Sequence, residues 1–401
     1  MTNPETKTPY VAIACGGTGG HLFPGLAVAQ QLKLRGCDVA LLISPKEVDQ
    51  QAVRSAQVRE IITLPAVGLQ NRNYFSFLRN FWKSWRAAKR TFQERPPHAV
   101  LGMGGFTSAP PVLAGNAFGA KTYLHESNTI PGRANRFLSR FVGEAFVGFP
   151  ESIARLKVRK VSVTGTPVRL QFQPREAAAC RTALGLEPNL PTVLVVGGSQ
   201  GANGLNEMIL SVLPLFTAKN WQWLHLTGAS DFEKVNAAYA GRGIKAVVKP
   251  FLGQMDLALG AATAAVSRAG ASSLAEIAAM RLPSLLVPFP AAADNHQYFN
   301  ASAFEKTGAA RLLEQKYSTP EKVAAILAGL VRDESVHSKM QSALGQWHMP
   351  KAAEQIAECI LNAVGNKSSL APQSGERAGE SGQMSFEIVA SHRPPTSLNH
   401  R

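Results

Sequence analysis

The sequence predicts an α/β protein made of two parallel-sheet domains. Three observations predict it. Short apolar runs alternate with amphipathic segments along the chain, which is the pattern of parallel strands covered by helices on both faces. A glycine-rich loop follows a predicted strand at three places. The pattern then restarts after Gly165-Thr166-Pro167 and the polar, helix-like stretch Arg175–Leu184. With 401 residues the chain is also long for a single core, and two domains of about 200 residues each fit its length.

In the first half, Tyr10–Ala14, Asp38–Ile43, Ala99–Gly102 and Lys121–His125 read as strands. Between the first two lies Pro24–Leu34, a helix with Pro24 suited to its first turn and Gly36 closing its end. In the second half, Thr192–Val196, Gln222–Thr227, Lys245–Val248 and Leu285–Pro288 read as strands. The domains are placed at residues 1–166 and 167–349. The tail, 366–401, is rich in Ser, Gly, Pro and Glu and has neither helical nor strand period, so disorder is expected there.

Composition narrows the function. The four cysteines, Cys15, Cys37, Cys180 and Cys359, are far apart and form no CxxC pair. That argues against a zinc site or a disulfide framework and suits a reducing compartment. No secretory signal is visible, because residues 1–9 are polar and the run Tyr10–Ala14 is too short. The longest charge-free stretch, Ala99–Ala120, carries five glycines and Pro110-Pro111, which a lipid-spanning helix tolerates poorly. A soluble or peripheral protein is expected.

The net charge of +15 and pI near 9.9 point to an anionic partner. Its location matters more than its sum. Residues 1–165 hold 21 Lys and Arg against 9 Asp and Glu, a net of +12. Residues 166–365 hold 17 against 15, and the tail 4 against 3. The excess belongs to the first domain.

The three loops are Cys15–His21 (CGGTGGH), Gly102–Phe106 (GMGGF) and Val196–Ala202 (VGGSQGA). Glycines let a backbone approach a ligand, and free amides at a helix start attract phosphate. Three such loops favour a nucleotide or phosphate ligand. A P-loop ATPase is excluded, since no Gly-Lys-Ser/Thr occurs. A dinucleotide site is disfavoured, because neither second strand ends in an acid: the ends read Leu42-Ile43-Ser44-Pro45 and Leu226-Thr227-Gly228. The second domain offers a carboxylate elsewhere. Ser267–Glu276 runs from a strand into a helix whose small and hydroxyl residues can face a diphosphate. Glu276, about one turn in, has two readings: it accepts from two ribose hydroxyls, or it closes a capping box with Ser273.

These motifs carry a resemblance. GGTGGHLFPGLAVA (16–29), GMGGFTSAP (102–110), HESNTIPGRANR (125–136), GTPVR (165–169), GGSQGAN (197–203), SRAGASSLAEIAAMRLPSLLVPFP (267–290) and DNHQYFNA (294–301) stand in that order. Together they resemble the bacterial undecaprenyl-diphospho-muramoylpentapeptide β-N-acetylglucosaminyltransferases, the MurG family, from Val11 to about Val364. The resemblance implies a GT-B fold, two Rossmann-like domains facing each other across a cleft. It also implies that a last helix, within 350–364, crosses back to the first domain. The implied reaction moves GlcNAc from UDP-GlcNAc to the C4 hydroxyl of MurNAc in lipid I, with inversion.

The resemblance also implies residue roles. Ser199 and the helix start Ala271, Ser272, Ser273, Leu274, Ala275 and Glu276 contact UDP; Leu252 reads uracil with its backbone; Glu276 holds the ribose. Gln297 binds GlcNAc hydroxyls, and Arg169 is a diphosphate ligand or hinge residue. Without the resemblance, Arg169 reads as a surface arginine after a proline turn. Thr18, Gly19, Gly20 and Asn128 close over the donor from the first domain. A single displacement needs a base for the incoming hydroxyl. His21 is the candidate, in the first glycine loop and with a suitable pKa, although the same residue also reads as a loop cap or phosphate ligand. Glu126 is the rival base. No Asp-x-Asp occurs to hold a metal, so no metal or other cofactor is implied. A helix N-terminus and Arg169 are left to stabilise the leaving UDP. The chain has His125-Glu126-Ser127-Asn128 where the family usually has HEQN, so any contact made by that glutamine is lost.

An acceptor with an undecaprenyl chain requires contact with a bilayer. In Tyr74–Arg86, Phe75, Leu78, Trp82 and Trp85 share one helical face, flanked by Arg79, Lys83 and Arg86. Aromatic and basic residues together suit an anionic membrane surface. The plainer reading is that the aromatics pack on the sheet. The resemblance places the protein on the cytoplasmic face of the plasma membrane, with UDP-GlcNAc, lipid I and other cell-wall synthesis proteins as partners. Two other classes compete with this reading. A UDP-GlcNAc 2-epimerase would share the fold but need no membrane face. A nucleic-acid-binding protein is suggested by net charge alone, and the glycine loops give it no support.

Overall fold

The computed structural model describes residues 8–54, 60–65, 74–198, 201–216 and 220–365. The expected disordered tail and Ser199 lie outside them. Two all-parallel sheets form the molecule. The first contains β1 (Tyr10–Ala14), β2 (Asp38–Ile43), β3 (Glu60–Thr63), β4 (Ala99–Gly102), β5 (Lys121–Glu126), β6 (Glu144–Val147) and β7 (Lys160–Val163), in the order β3-β2-β1-β4-β5-β6-β7. The second contains β8 (Thr192–Val196), β9 (Gln222–Leu226), β10 (Ala246–Lys249), β11 (Ala264–Ser267), β12 (Ser284–Leu286) and β13 (Arg311–Leu312), in the order β10-β9-β8-β11-β12-β13.

The order explains the sequence pattern. β1, β4 and β11 are wholly buried, and β8 is buried up to its last residue, Val196, as strands with helices on both faces must be. The sequence does not announce β3, β7 or β13, and the burial pattern shows why. They are edge strands with mixed or exposed faces, so they carry no continuous apolar run. β11 is Ala-Ala-Val-Ser, weak in strand formers, and only the loop at its end betrays it. Each sheet reverses its order at one point, between β1 and β4 and between β8 and β11. In open α/β sheets ligands bind in the crevice beyond the strand ends at such a reversal. The first two glycine loops stand there, as do the described ends of the third, 196–198 and 201–202.

The chain passes between the sheets at two places that touch. Gly165, with φ +80°, follows β7. A Cβ on it would lie 2.5 Å from Cβ of Met349, where the chain returns. Only glycine lets the two crossings pack so closely. The returning helix, Ala352–Gly365, buries Ala353, Ile356, Ala357, Ile360 and Val364 in the core of the first sheet. It is tied there by Arg35 to Glu354 at 2.8 Å and by Cys359 Sγ donating to Glu144 at 3.2 Å.

Candidate active site

The first loop leads into a helix, Gly19–Leu34, that begins earlier than the sequence predicts. Pro24 therefore lies in the second turn, not the first. His21 lies in the first turn, with Nδ1 3.1 Å from Oγ1 of Thr18, the N-cap residue. The imidazole rests on the second glycine loop. Cβ atoms at Gly104 and Gly105 would each come within 3.0 Å of the ring, and both residues have positive φ, +103° and +73°. The GMGG loop is thus a seat for His21, and a side chain at either glycine would expel the ring. The surrounding protein desolvates the ring, although the residue as a whole is only half-buried, and this lowers its pKa to about 4. His21 is therefore neutral near pH 7 and able to accept a proton, but it is less basic than the ordinary imidazole the sequence reading assumes.

Glu126 ends β5 and is buried. Both oxygens are in use. Oε1 accepts from the Asn128 amide at 2.8 Å and its side chain at 3.0 Å. Oε2 accepts from the Gly132 amide and the Asn135 side chain, each at 2.9 Å. The carboxylate shapes the 126–135 loop. Ser127 is turned away from the crevice: its hydroxyl is 3.2 Å from His125 Nδ1, and His125 Nε2 is 3.1 Å from the Gly165 carbonyl.

The second sheet contributes the helix Ala271–Ala279, whose N-cap is Gly270. No side chain caps it and its first turn holds no acid. Its first amides are open to an anion. This corrects one sequence reading: Ser273 is not the cap, so Glu276 closes no capping box. Glu276 instead faces Arg169, with 3.4 Å between NH2 and Oε1. Burial raises its pKa to about 7, against the pull of the Arg169 charge. The Arg169 guanidinium lies 4.2 Å from the Phe23 ring of the first domain and 4.8 Å from Phe172. It is thus a wedge between the two halves, not a surface arginine. Leu252, in the loop after β10, packs half-buried against the second core. Gln297 Oε1 accepts from the amides of Ala269 and Phe289, at 3.2 and 2.9 Å, and so joins the loops after β11 and β12.

The two halves meet at these residues. Ser272 Oγ donates to the Gly20 carbonyl at 2.8 Å. Asn300, fully buried, donates to Asn128 Oδ1 at 3.0 Å and to the Ala269 carbonyl at 3.2 Å. It also accepts from the Thr129 amide and hydroxyl, each at 3.0 Å. Arg136 pairs with Asp294 across the same cleft. Thr18, Gly19, Gly20, His21, Asn128, Arg169, Ser272, Glu276 and Gln297 are thereby brought to one crevice. Asp49, buried under the first loop, stands in no sequence motif, and Asn300 lies within the DNHQYFNA motif without a role assigned to it there.

The aromatic residues lie on the helix Tyr74–Glu94. Phe75, Leu78 and Trp82 are 80%, 61% and 51% exposed. Trp85 is half-buried and stacked on Trp82 at 4.9 Å. Arg79, Lys83 and Arg86 are exposed beside them. Ala88 and Phe92 face the core, and Phe81 and Trp85 pack half-buried against it, so the packing reading holds for Trp85 and the far end of the helix, and fails for Phe75, Leu78 and Trp82. Among the described residues no helix is long and apolar enough to cross a membrane.

Comparison with known proteins agrees with this geometry. The glycosyltransferase family 28 N-terminal domain profile matches residues 11–147, and the C-terminal domain profile matches residues 192–356. A UDP-N-acetylglucosamine–N-acetylmuramyl-(pentapeptide) pyrophosphoryl-undecaprenol N-acetylglucosamine transferase of Xanthomonas euvesicatoria pv. vesicatoria (strain 85-10) is 37% identical over 372 residues, 92% of this chain and 84% of the relative. The chain belongs to glycosyltransferase family 28 and, within it, to the MurG transferases. A relative of the same name from Anaeromyxobacter sp. (strain Fw109-5) is 35% identical over 92% of this chain and 96% of its own length. The crystal structure of Acinetobacter baumannii MurG superposes with a TM-score of 0.69 at 26% identity, covering 88% of this chain and 99% of that one. A UDP-N-acetylglucosamine 2-epimerase reaches 0.65 at 12% identity, covering 90% and 98%. The GT-B fold is therefore common to both classes, and sequence identity separates them.

Proposed function

We propose that this MurG-family chain transfers GlcNAc from UDP-GlcNAc to the C4 hydroxyl of MurNAc in lipid I, giving lipid II with inversion at the anomeric carbon. The observation that carries the reading is the meeting of a neutral, seated imidazole and an uncapped helix N-terminus in one crevice. The donor lies on the second domain, with its diphosphate at the start of Ala271–Ala279 and its ribose on Glu276. Leu252 and Ser199 complete the UDP contacts, and Gln297 meets the GlcNAc hydroxyls. Thr18, Gly19, Gly20 and Asn128 close the site from the first domain. His21 takes the proton of the attacking hydroxyl as the bond to UDP breaks. The helix dipole and Arg169 stabilise the negative charge that develops on UDP.

The first domain, 1–166 with the returning helix, carries the acceptor and the membrane contact. Exposed Phe75, Leu78 and Trp82 beside Arg79, Lys83 and Arg86 support peripheral attachment to an anionic surface, the cytoplasmic face of the plasma membrane. Purified protein supplied with UDP-GlcNAc and a lipid I analogue is expected to release UDP in step with a β-linked disaccharide lipid. UDP release without that product, or none at all, would count against the reading.

A further inference from the structure

The first glycine loop is built on a carboxylate of the chain itself. Asp49 is fully buried. Its Oδ2 accepts from the Gly17 amide at 2.6 Å, from the Ser44 amide at 3.3 Å and from the Ser44 hydroxyl at 2.5 Å. A glycine loop after the first strand of such a sheet ordinarily offers its amides to a phosphate. Here the Gly17 amide is already satisfied by a negative charge. A phosphate approaching this loop meets Asp49 behind it, and a side-chain cation is needed to offset the repulsion.

Lys46 is placed to be that cation. It stands just past the end of β2, exposed at the mouth of the crevice. Its ammonium donates to the Gly17 carbonyl at 2.9 Å and lies 5.5 Å from the centre of the Phe106 ring. The ring in turn covers Gly17, where a Cβ would come within 3.1 Å of it. These contacts hold the lysine at the loop. An ammonium has three donors, and the Gly17 carbonyl takes one. Among the described residues Lys46 makes no ion pair. The charge is therefore held beside His21 with donors to spare.

We propose that Lys46 grips a phosphoryl group of the acceptor, and that it selects sugars carrying an anomeric diphosphate over sugars without one. The inference rests on the transferase reading above. It assigns Lys46 as a specificity-determining residue for the acceptor, with no part in donor binding.

The test is steady-state kinetics with a soluble, short-chain lipid I analogue and no vesicles, comparing wild type, Lys46→Gln and Lys46→Arg. Gln keeps a donor for the Gly17 carbonyl but removes the charge. The acceptor KM is expected to rise about tenfold in Lys46→Gln, the loss of one charge-assisted contact. Donor KM and kcat are expected to stay within about twofold, and arginine to restore the acceptor KM. Inorganic pyrophosphate should compete with the acceptor for wild type and more weakly for Lys46→Gln. An unchanged acceptor KM, or acceptor and donor KM rising together, overturns the proposal. So does a defect that emerges only when anionic vesicles are added, because Lys46 would then be meeting lipid headgroups. If wild type releases no UDP, the transferase reading itself has failed, which is a different result from a working enzyme indifferent to Lys46.

Discussion

Ser272 Oγ donates to the carbonyl of Gly20 at 2.8 Å, and Pro24 is the reason that carbonyl is available. In a helix the carbonyl of residue 20 accepts from the amide of residue 24, but proline has none. A proline in the second turn of Gly19–Leu34 thus leaves an acceptor pointing out of the helix. The second domain fills it from the first turn of its own helix. Two helix N-termini are joined tip to tip, with the crevice between them.

Ser272→Ala should weaken this junction without unfolding either domain. The lost hydrogen bond is worth about 1 kcal/mol, so UDP-GlcNAc KM should rise a few-fold. Pro24→Ala should have the same direction of effect, because its new amide would draw the Gly20 carbonyl back into the helix. Donor titrations by calorimetry on both variants check this, and unchanged affinity in both would remove the junction from donor binding.

The seat of His21 predicts a second effect. Gly105→Ala places a methyl within 3.0 Å of the imidazole and strains a backbone with φ +73°. We expect kcat to fall at least roughly tenfold with UDP-GlcNAc affinity retained, measured by single-turnover kinetics beside a binding titration. Normal turnover would mean that the ring need not lie where it is seen.

Glu276 gives a pH dependence. Its pKa is raised to about 7, chiefly by burial. A raised carboxyl is neutral below that value and ionised above it. If the ionised form holds the ribose, UDP-GlcNAc KM should rise as pH falls through 7, and Glu276→Gln should abolish the dependence. The same shift acts on stability: that contribution is present below the unfolded pKa and is lost as pH rises through 7. Glu276→Gln should therefore raise the Tm of the ligand-free protein more at pH 8 than at pH 5. A flat KM profile for wild type would separate Glu276 from the ribose.

Much of this was legible in the sequence because it is periodic or glycine-marked. The buried strands β1, β2, β4 and β8 are largely apolar runs, β5 and β9 are mixed but hold apolar pairs at their centres, and the three loops carry their glycines openly. The pairing of elements was not legible. Nothing in GMGG says that its missing side chains make room for His21. Pro24 reads as a helix start until the helix is seen to begin at Gly19. Asn300 holds loops from both halves through hydrogen bonds to residues about 170 positions away, a distance no local pattern encodes.

The exposed aromatic face predicts membrane behaviour. Replacing Phe75 and Trp82 by Ala should cut co-sedimentation with anionic vesicles by about tenfold or more, given about 1.5–3 kcal/mol for a large apolar side chain. UDP-GlcNAc KM should not move. Vesicle binding that survives both substitutions would assign the face to another partner.

The most direct test of the account is His21→Gln, assayed in a single turnover with donor already bound. The chemical step is expected to slow by about 100-fold or more, while the Kd for UDP-GlcNAc stays within about twofold. Equal losses in rate and affinity would contradict it, because His21 would then be a donor ligand and not the base.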